Sequence, residues 1–188
     1  MNRYKQYYLY VKKNIKFIYA VLAIYFFSAI WGFFFPSFFK NYIDNFITQI
    51  LEITQNMNVI QIFLFILQNN IKTAFFAILF GAAFGIFPIF LSFFNGYVLG
   101  YISSSVAKSS GIAQLWKLLP HGVFELVAVF LSFSLGIKLG LLLFKKNKDK
   151  KWKKFWIKEF SMILEIFVYV IIPLLLIAAI IESFFMFF

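Results

Sequence analysis

The feature that most constrains this chain is a series of apolar stretches, each long enough to cross a lipid bilayer. A spanning helix needs roughly 17–25 apolar residues, because the hydrocarbon core is about 30 Å thick. The stretches from Phe17 to Phe35 and from Met162 to Ile181 meet this requirement. Only 13% of the 188 residues are charged, about half the share of a soluble domain. We therefore predict an all-α integral membrane protein and exclude a soluble globular enzyme.

The apolar stretches predict a single membrane domain over residues 1–188, in the form of a five-span helical bundle. The stretch from Thr73 to Val106 would be roughly 50 Å long as one helix, which exceeds the bilayer core. We therefore divide it at a tight turn around Gly85 to Pro88. The predicted spans are residues 17–35, 73–87, 89–106, 120–144 and 162–181.

Residues 37–55 have a different pattern and predict an outer amphipathic helix. Apolar residues recur there every three or four positions, and polar residues fill the opposite face. The helix is too polar to span, so we expect it to lie in the membrane interface or to cover the outer ends of the spans. The short apolar stretch from Val59 to Leu67 stays open between interfacial, re-entrant and part of a span. The apolar face comprises Phe39, Tyr42, Ile43, Phe46, Ile47, Ile50 and Leu51.

The formal charge of +11 is concentrated in two segments. Five basic residues lie between Met1 and Lys16, and eight lie between Lys145 and Lys158. Basic segments of membrane proteins stay on the cytoplasmic side. We therefore expect a multi-pass protein of the cell membrane with a cytoplasmic amino terminus, a cytoplasmic basic loop at 145–160 and an outer carboxyl terminus. The same charges favour anionic lipid headgroups as partners. We predict no nucleic-acid partner, because the sequence shows no fold that reads nucleic-acid grooves.

The residue inventory argues against catalysis. The chain has no Cys and a single His, which excludes disulfides, thiolate ligands and a multi-histidine metal site. It has no Gly-rich phosphate loop, HExxH motif or nucleophile elbow. We predict that it is not an enzyme and that it needs no cofactor or metal.

Six glycines form three GxxxG pairs in consecutive spans. Such pairs let helix backbones approach closely in lipid. We predict that they pack helices within one chain rather than form a dimer seam. A homo-oligomer is also expected, because thirty Phe offer abundant apolar surface. The pairs are Gly81 with Gly85, Gly96 with Gly100, and Gly136 with Gly140.

Ionisable residues inside a span are costly and mark candidate sites. His121 and Glu125 follow Pro120 and share one face of the fourth span, being four residues apart. They form either a functional site or a pair that satisfies itself near the outer end. Asn95 also needs partners, but helix rise places it deeper than Glu125. Lys138 and Glu165 lie at matching depth near the cytoplasmic side and are predicted to form a structural ion pair.

Two motifs carry a family resemblance. They run from Asn95 to Gly100 (NGYVLG) and from Leu119 to Glu125 (LPHGVFE), and Gly136 and Gly140 follow. This arrangement resembles the stage II sporulation protein M family, whose namesake in spore-forming bacteria works with cell-wall-degrading partners during engulfment. The resemblance implies a polytopic helical protein in which the motif residues are Asn95, Gly96, Gly100, Pro120, His121, Gly122 and Glu125.

Two functions follow as hypotheses. The first is a non-enzymatic scaffold or assembly factor with membrane or envelope protein partners. The alternative is a small channel or transporter with a polar site at His121 and Glu125.

Overall fold

The computed structural model describes residues 2–82, 85–144 and 151–185, and these residues are helical, without any strand. The side chains at 116–122, 143–144, 151 and 185 lie outside the description. A 3-10 turn at Ile112–Leu118 precedes α6, and a π-helical turn at Phe167–Ile171 joins α7 to α8. The helices are α1 (Arg3–Lys13), α2 (Ile15–Phe34), α3 (Lys40–Thr54), α4 (Val59–Gly81), α5 (Ile86–Ser110), α6 (Leu119–Phe144), α7 (Lys151–Ile166) and α8 (Ile172–Phe185).

Five helical segments are long and apolar enough to cross a membrane. Their lengths run from 20 to 33 residues, against the roughly 20 residues that a bilayer core requires. The prediction of an all-α chain with five spans is therefore confirmed. The segments are Ile15–Phe34, Val59–Gly81, Ile86–Ser110, Val123–Leu142 and Trp152–Phe184.

The second span begins at Val59, not at Thr73 as predicted. Asn58 starts the helix through a capping box, in which its side chain accepts a hydrogen bond from the backbone N–H of Gln61 and the Gln61 side chain accepts one from the N–H of Asn58. Such reciprocal bonds satisfy two N–H groups that a helix start leaves free. The stretch from Val59 to Leu67 is therefore the first part of a continuous span.

The last span also begins earlier than predicted. Its helix starts at Lys151, so the predicted basic loop at 145–160 is helical from that residue onward, while 145–150 lie outside the described residues. Pro173 lies just after the π-helical turn at Phe167–Ile171. Proline removes a backbone donor and crowds the carbonyl one turn earlier, and a local π adjustment accommodates this without breaking the span.

Four of the five spans pack as two parallel pairs. In the pair of α2 and α5, Ser92 Oγ donates a 3.0 Å hydrogen bond to the carbonyl of Val21, and a Cβ on Gly100 would overlap the carbonyl of Ala29. In the pair of α4 and α6, a Cβ on Gly136 would overlap the carbonyl of Ala77. The glycine pairs therefore serve helix packing within one chain, as predicted.

Helix α6 occupies the centre of the bundle. It contacts α2, α4, α5 and α8, and every residue from 128 to 140 is buried. Its two ends differ in character. We call the end where Glu125 and Glu182 lie the acidic end and the end where Lys13 and Lys138 lie the basic end.

Helix α3 is attached to α5 through a small part of its apolar face. Ile43 is fully buried and clusters with Tyr97 and Tyr101 of α5. The Tyr101 hydroxyl donates a 2.5 Å hydrogen bond to Asp44, and the Tyr97 hydroxyl donates one of 2.6 Å to the carbonyl of Phe35. The rest of the predicted apolar face is largely open. Its exposed members include Phe39, Tyr42, Phe46 and Leu51.

Candidate functional site

Three polar side chains from three spans meet at the acidic end of the bundle. The side-chain amide of Asn70 on α4 lies close enough to the carboxylate of Glu125 on α6 to interact with it. Glu182 of α8 lies close enough to Glu125 for the two carboxylates to interact electrostatically. We call these three residues the Glu125 cluster. The two members farthest apart in sequence, Asn70 and Glu182, are separated by 112 positions. Only the packing of α4, α6 and α8 brings them together.

The Glu125 cluster is withdrawn from solvent and incompletely hydrogen-bonded. Asn70 is 8% exposed, and both glutamates are partly buried. The Oε2 atom of Glu182 is buried and has no hydrogen-bond partner among the described residues. A polar group in an apolar environment is costly unless it is paired. Chemically, the cluster offers hydrogen-bond acceptors and sites for proton uptake, and its only side-chain donor is one amide.

Asn95 is separate from the Glu125 cluster. Its Nδ2 donates a 2.8 Å hydrogen bond to the carbonyl of Leu91, one turn earlier on α5. The side chain is exposed on the surface of the bundle. Its amide is thus satisfied by its own helix, and the structure does not bring Asn95 together with Glu125.

At the basic end, Lys138 has a different partner from the one predicted. Its ammonium forms an ion pair with Glu159 of α7, not with Glu165. The ammonium also lies 3.7 Å from the centroid of the Tyr10 ring, and the Tyr10 hydroxyl donates a 2.6 Å hydrogen bond to Glu159. Burial and the neighbouring carboxylate raise the pKa of Tyr10, so its hydroxyl remains a donor at neutral pH.

Glu165, the other half of the predicted pair, is bound by α1. Arg3 donates a 2.7 Å charged hydrogen bond to its carboxylate, and the Tyr7 hydroxyl donates one of 3.0 Å. Arg3 is 69% exposed, and exposed ion pairs contribute little stability. The prediction was wrong because α7 starts at Lys151, which puts Glu159 rather than Glu165 at the depth of Lys138.

Comparison with known proteins identifies the family. The family described as stage II sporulation protein M matches residues 21–185. The chain belongs to this family. The match covers all five spans except the first residues of α2, so the shared unit is the helical bundle itself.

Two relatives come from the archaeon Methanocaldococcus jannaschii. The uncharacterized protein MJ0706 is 31% identical over 144 residues, which are 74% of this chain and 61% of that protein. The uncharacterized protein MJ0793 is 31% identical over 119 residues, which are 62% of this chain and 66% of that protein. The chain thus spans just under two thirds of the length of either relative. No solved structure matches.

Within this member of the stage II sporulation protein M family, the motif residues divide between two places. Gly96 and Gly100 lie in the contact between α2 and α5. Glu125 belongs to the cluster at the acidic end. Pro120, His121 and Gly122 lie in the first turn of α6, and their side chains are outside the described residues. The predicted contact of His121 with Glu125 stays a prediction.

Asn70 and Glu182 are site residues that the sequence reasoning missed. Neither was among the predicted site residues, and the predicted last span, 162–181, ended one residue before Glu182. Both are polar residues within otherwise apolar spans, which is the same signal that identified Glu125. The described residues contain no group of three His, Asp or Glu side chains that would hold a metal ion.

Proposed function

We propose that this member of the stage II sporulation protein M family is a non-enzymatic scaffold or assembly factor of the cell membrane. The observation that supports it best is the packing of the central helix. Every residue of α6 from 128 to 140 is buried, and its serines turn inward, with Ser132 Oγ bonded to the Ala128 carbonyl and Ser134 Oγ to that of Leu131. A pathway through the bundle requires polar or water-filled surface at mid-depth, whereas this segment is packed on all sides.

A scaffold needs a surface for other proteins, and α3 offers one. Tyr42 and Phe46 are 80% and 44% exposed on that helix, beside an open groove that they line together with Asn41, Asn45 and Gln49. Aromatic residues are enriched in the buried centres of protein interfaces. Membrane or envelope proteins and further copies of this chain are therefore the proposed partners.

Photocrosslinking from α3 tests this proposal. A photoreactive phenylalanine at Tyr42 should yield a specific adduct with another polypeptide in the host membrane. The matched control is the same group at Ile43, which is buried against α5 and should react only within the chain. Crosslinking to lipid alone from Tyr42 would contradict a protein-binding role for α3.

A channel or transporter remains the second candidate, favoured by one observation. The unpartnered Oε2 of Glu182 lies beside Glu125, and intramembrane carboxylates are characteristic of proton and ion pathways. Purified protein in liposomes should show no proton flux above that of empty vesicles if it is a scaffold. Flux that Glu125→Gln abolishes would overturn the scaffold proposal.

For orientation, we propose a cytoplasmic basic end, following the rule that basic segments stay inside. Single cysteines introduced at Ser110 and at Lys154 test it, because the chain has none of its own. An impermeant thiol reagent should label Ser110→Cys in intact cells and Lys154→Cys only after permeabilisation. The reverse pattern would invert the proposed topology.

A further inference from the structure

We propose that the basic end carries a binding surface for anionic, phosphate-bearing lipid headgroups, built jointly by α1 and α7. Its residues are exposed lysines from both helices and the start of α2. We call them the lysine face. This surface is independent of the scaffold proposal, since a scaffold or a transporter would equally need to be held in a particular lipid environment. The lysine face comprises Lys12, Lys13, Lys16, Lys153, Lys154 and Lys158.

Contacts between α1 and α7 bring two charge clusters together that are far apart in sequence. The Tyr10 hydroxyl binds Glu159 at 2.6 Å, and Arg3 binds Glu165 at 2.7 Å. Lys13 lies close enough to Glu159 to interact with it electrostatically. These contacts hold α1 against α7, so the exposed lysines of both helices lie at the same end of the bundle.

Within the part of the chain that the structure describes, the carboxylates nearest the lysine face form their ion pairs with other cations. The carboxylates on α7 are Glu159 and Glu165, and their ion-pair partners are Lys138 and Arg3. Among the described residues, no member of the lysine face forms an ion pair with a carboxylate. Exposed ammonium groups that form no ion pair attract an anionic membrane surface, and each contributes to the binding.

Aromatic and apolar side chains beside the lysines favour a lipid, rather than a free phosphate, as the molecule that carries the anionic group. Trp152 and Phe155 stack on α7 with ring centroids 5.9 Å apart, and Lys12 lies 5.9 Å from the ring centroid of Tyr8. Ile157, between the lysines, is 56% exposed. Aromatic rings and snorkelling lysines occur together at headgroup depth. Because α7 continues directly into the last span, a phosphate bound here has its acyl chains beside that span.

Lipid competition on the purified full-length protein tests this proposal. The protein is reconstituted into phosphatidylcholine vesicles with a trace of spin-labelled phosphatidylglycerol or spin-labelled phosphatidylcholine, and the motionally restricted fraction of each label is measured. We expect a several-fold preference for phosphatidylglycerol. Raising the salt from about 0.05 M to about 0.5 M should reduce it in the unmodified protein, because screening shortens the range of the charges.

A charge reversal and its matched control locate the effect. The variant with Lys12→Glu and Lys154→Glu should lose most of this several-fold preference, since each cationic group adds to the attraction of an anionic surface. The control carries Lys72→Glu and Lys108→Glu, two exposed lysines remote from the lysine face, and should keep the preference. An equal loss in both variants, or a preference in the unmodified protein that is absent or insensitive to salt, would overturn the proposal.

Discussion

The phenol of Tyr101 donates a 2.5 Å hydrogen bond to Asp44, which also accepts one of 2.9 Å from the ammonium of Lys40. These two bonds lower the pKa of Asp44. Together with the burial of Ile43, they fix α3 to α5. The attachment is narrow, so its loss should free α3 without unfolding the spans.

Tyr101→Phe should therefore increase amide hydrogen exchange in residues 40–54 several-fold while the spans stay protected, because local openings exchange independently. The matched control Tyr42→Phe removes a hydroxyl from a side chain that is 80% exposed and should change nothing. Equal exchange in the two variants would show that the hydrogen bond to Asp44 does not hold α3.

The same contact predicts a pH dependence. Because the pKa of Asp44 is lower in the folded protein than in the unfolded chain, its contribution is fully present above the ordinary aspartate value of about 3.9 and is lost as the pH falls through the lowered value. Protection of α3, corrected for intrinsic exchange, should stay constant from neutral pH to about 4 and fall below that. A loss that begins near neutral pH would implicate a different group.

Gly100→Ala should destabilise the pairing of α2 with α5. A Cβ at this position would overlap the backbone carbonyl of Ala29, and a backbone atom moves less easily than a side chain. Overpacking of this kind costs about 1–3 kcal/mol. The free energy of unfolding in mixed micelles measures it. Ser105→Thr also adds one methyl group to α5, at an exposed position, and should be neutral.

Lys138→Met should lower the free energy of unfolding more than the double change Lys138→Met with Glu159→Gln does. The single variant leaves the Glu159 carboxylate without its ammonium at a site where Lys138 is 7% exposed, and breaking a buried pair costs about 3–5 kcal/mol. The double variant removes the uncompensated charge as well. Equal free energies of unfolding for the two variants would show that Lys138 and Glu159 do not stabilise each other.

Glu182→Gln should stabilise the acidic end, whereas Asn70→Leu should destabilise it. The first change replaces a carboxylate whose buried Oε2 has no partner among the described residues, and the second removes the amide that lies beside Glu125. Each effect should be on the order of 1 kcal/mol. Thermal unfolding at neutral pH measures both effects.

The number of spans followed from the sequence because apolar length is a local property. The start of α4 did not, because the polar residues from Gln68 to Lys72 interrupt the apolar pattern along the chain. In the helix, Gln68 and Lys72 point outward while Asn70 points inward, so the helix accommodates them on different faces. The capping box at Asn58 and Gln61 was the local signal that marked the true start.

The candidate site was harder to predict, because it depends on the register between helices that are distant in sequence. Glu125 was recognised from its cost in an apolar span. Its neighbours Asn70 and Glu182 come from the second and last spans, and no local pattern aligns these with α6. The Lys138 prediction failed for a related reason, since depth was counted from a helix start at Met162 rather than Lys151.

The parallel pairing of α2 with α5 and of α4 with α6 determines when each helix contact can form during synthesis. One span lies between the two partners of each pair, so α2 and α4 cannot complete their main contacts when they leave the ribosome and must wait for α5 and α6. The groove of α2 around Ala29, into which Gly100 fits, stays open in the bilayer until α5 has been synthesised. After α4 has been inserted and before α5 has been made, both α2 and α4 therefore lie in the bilayer without their main partners.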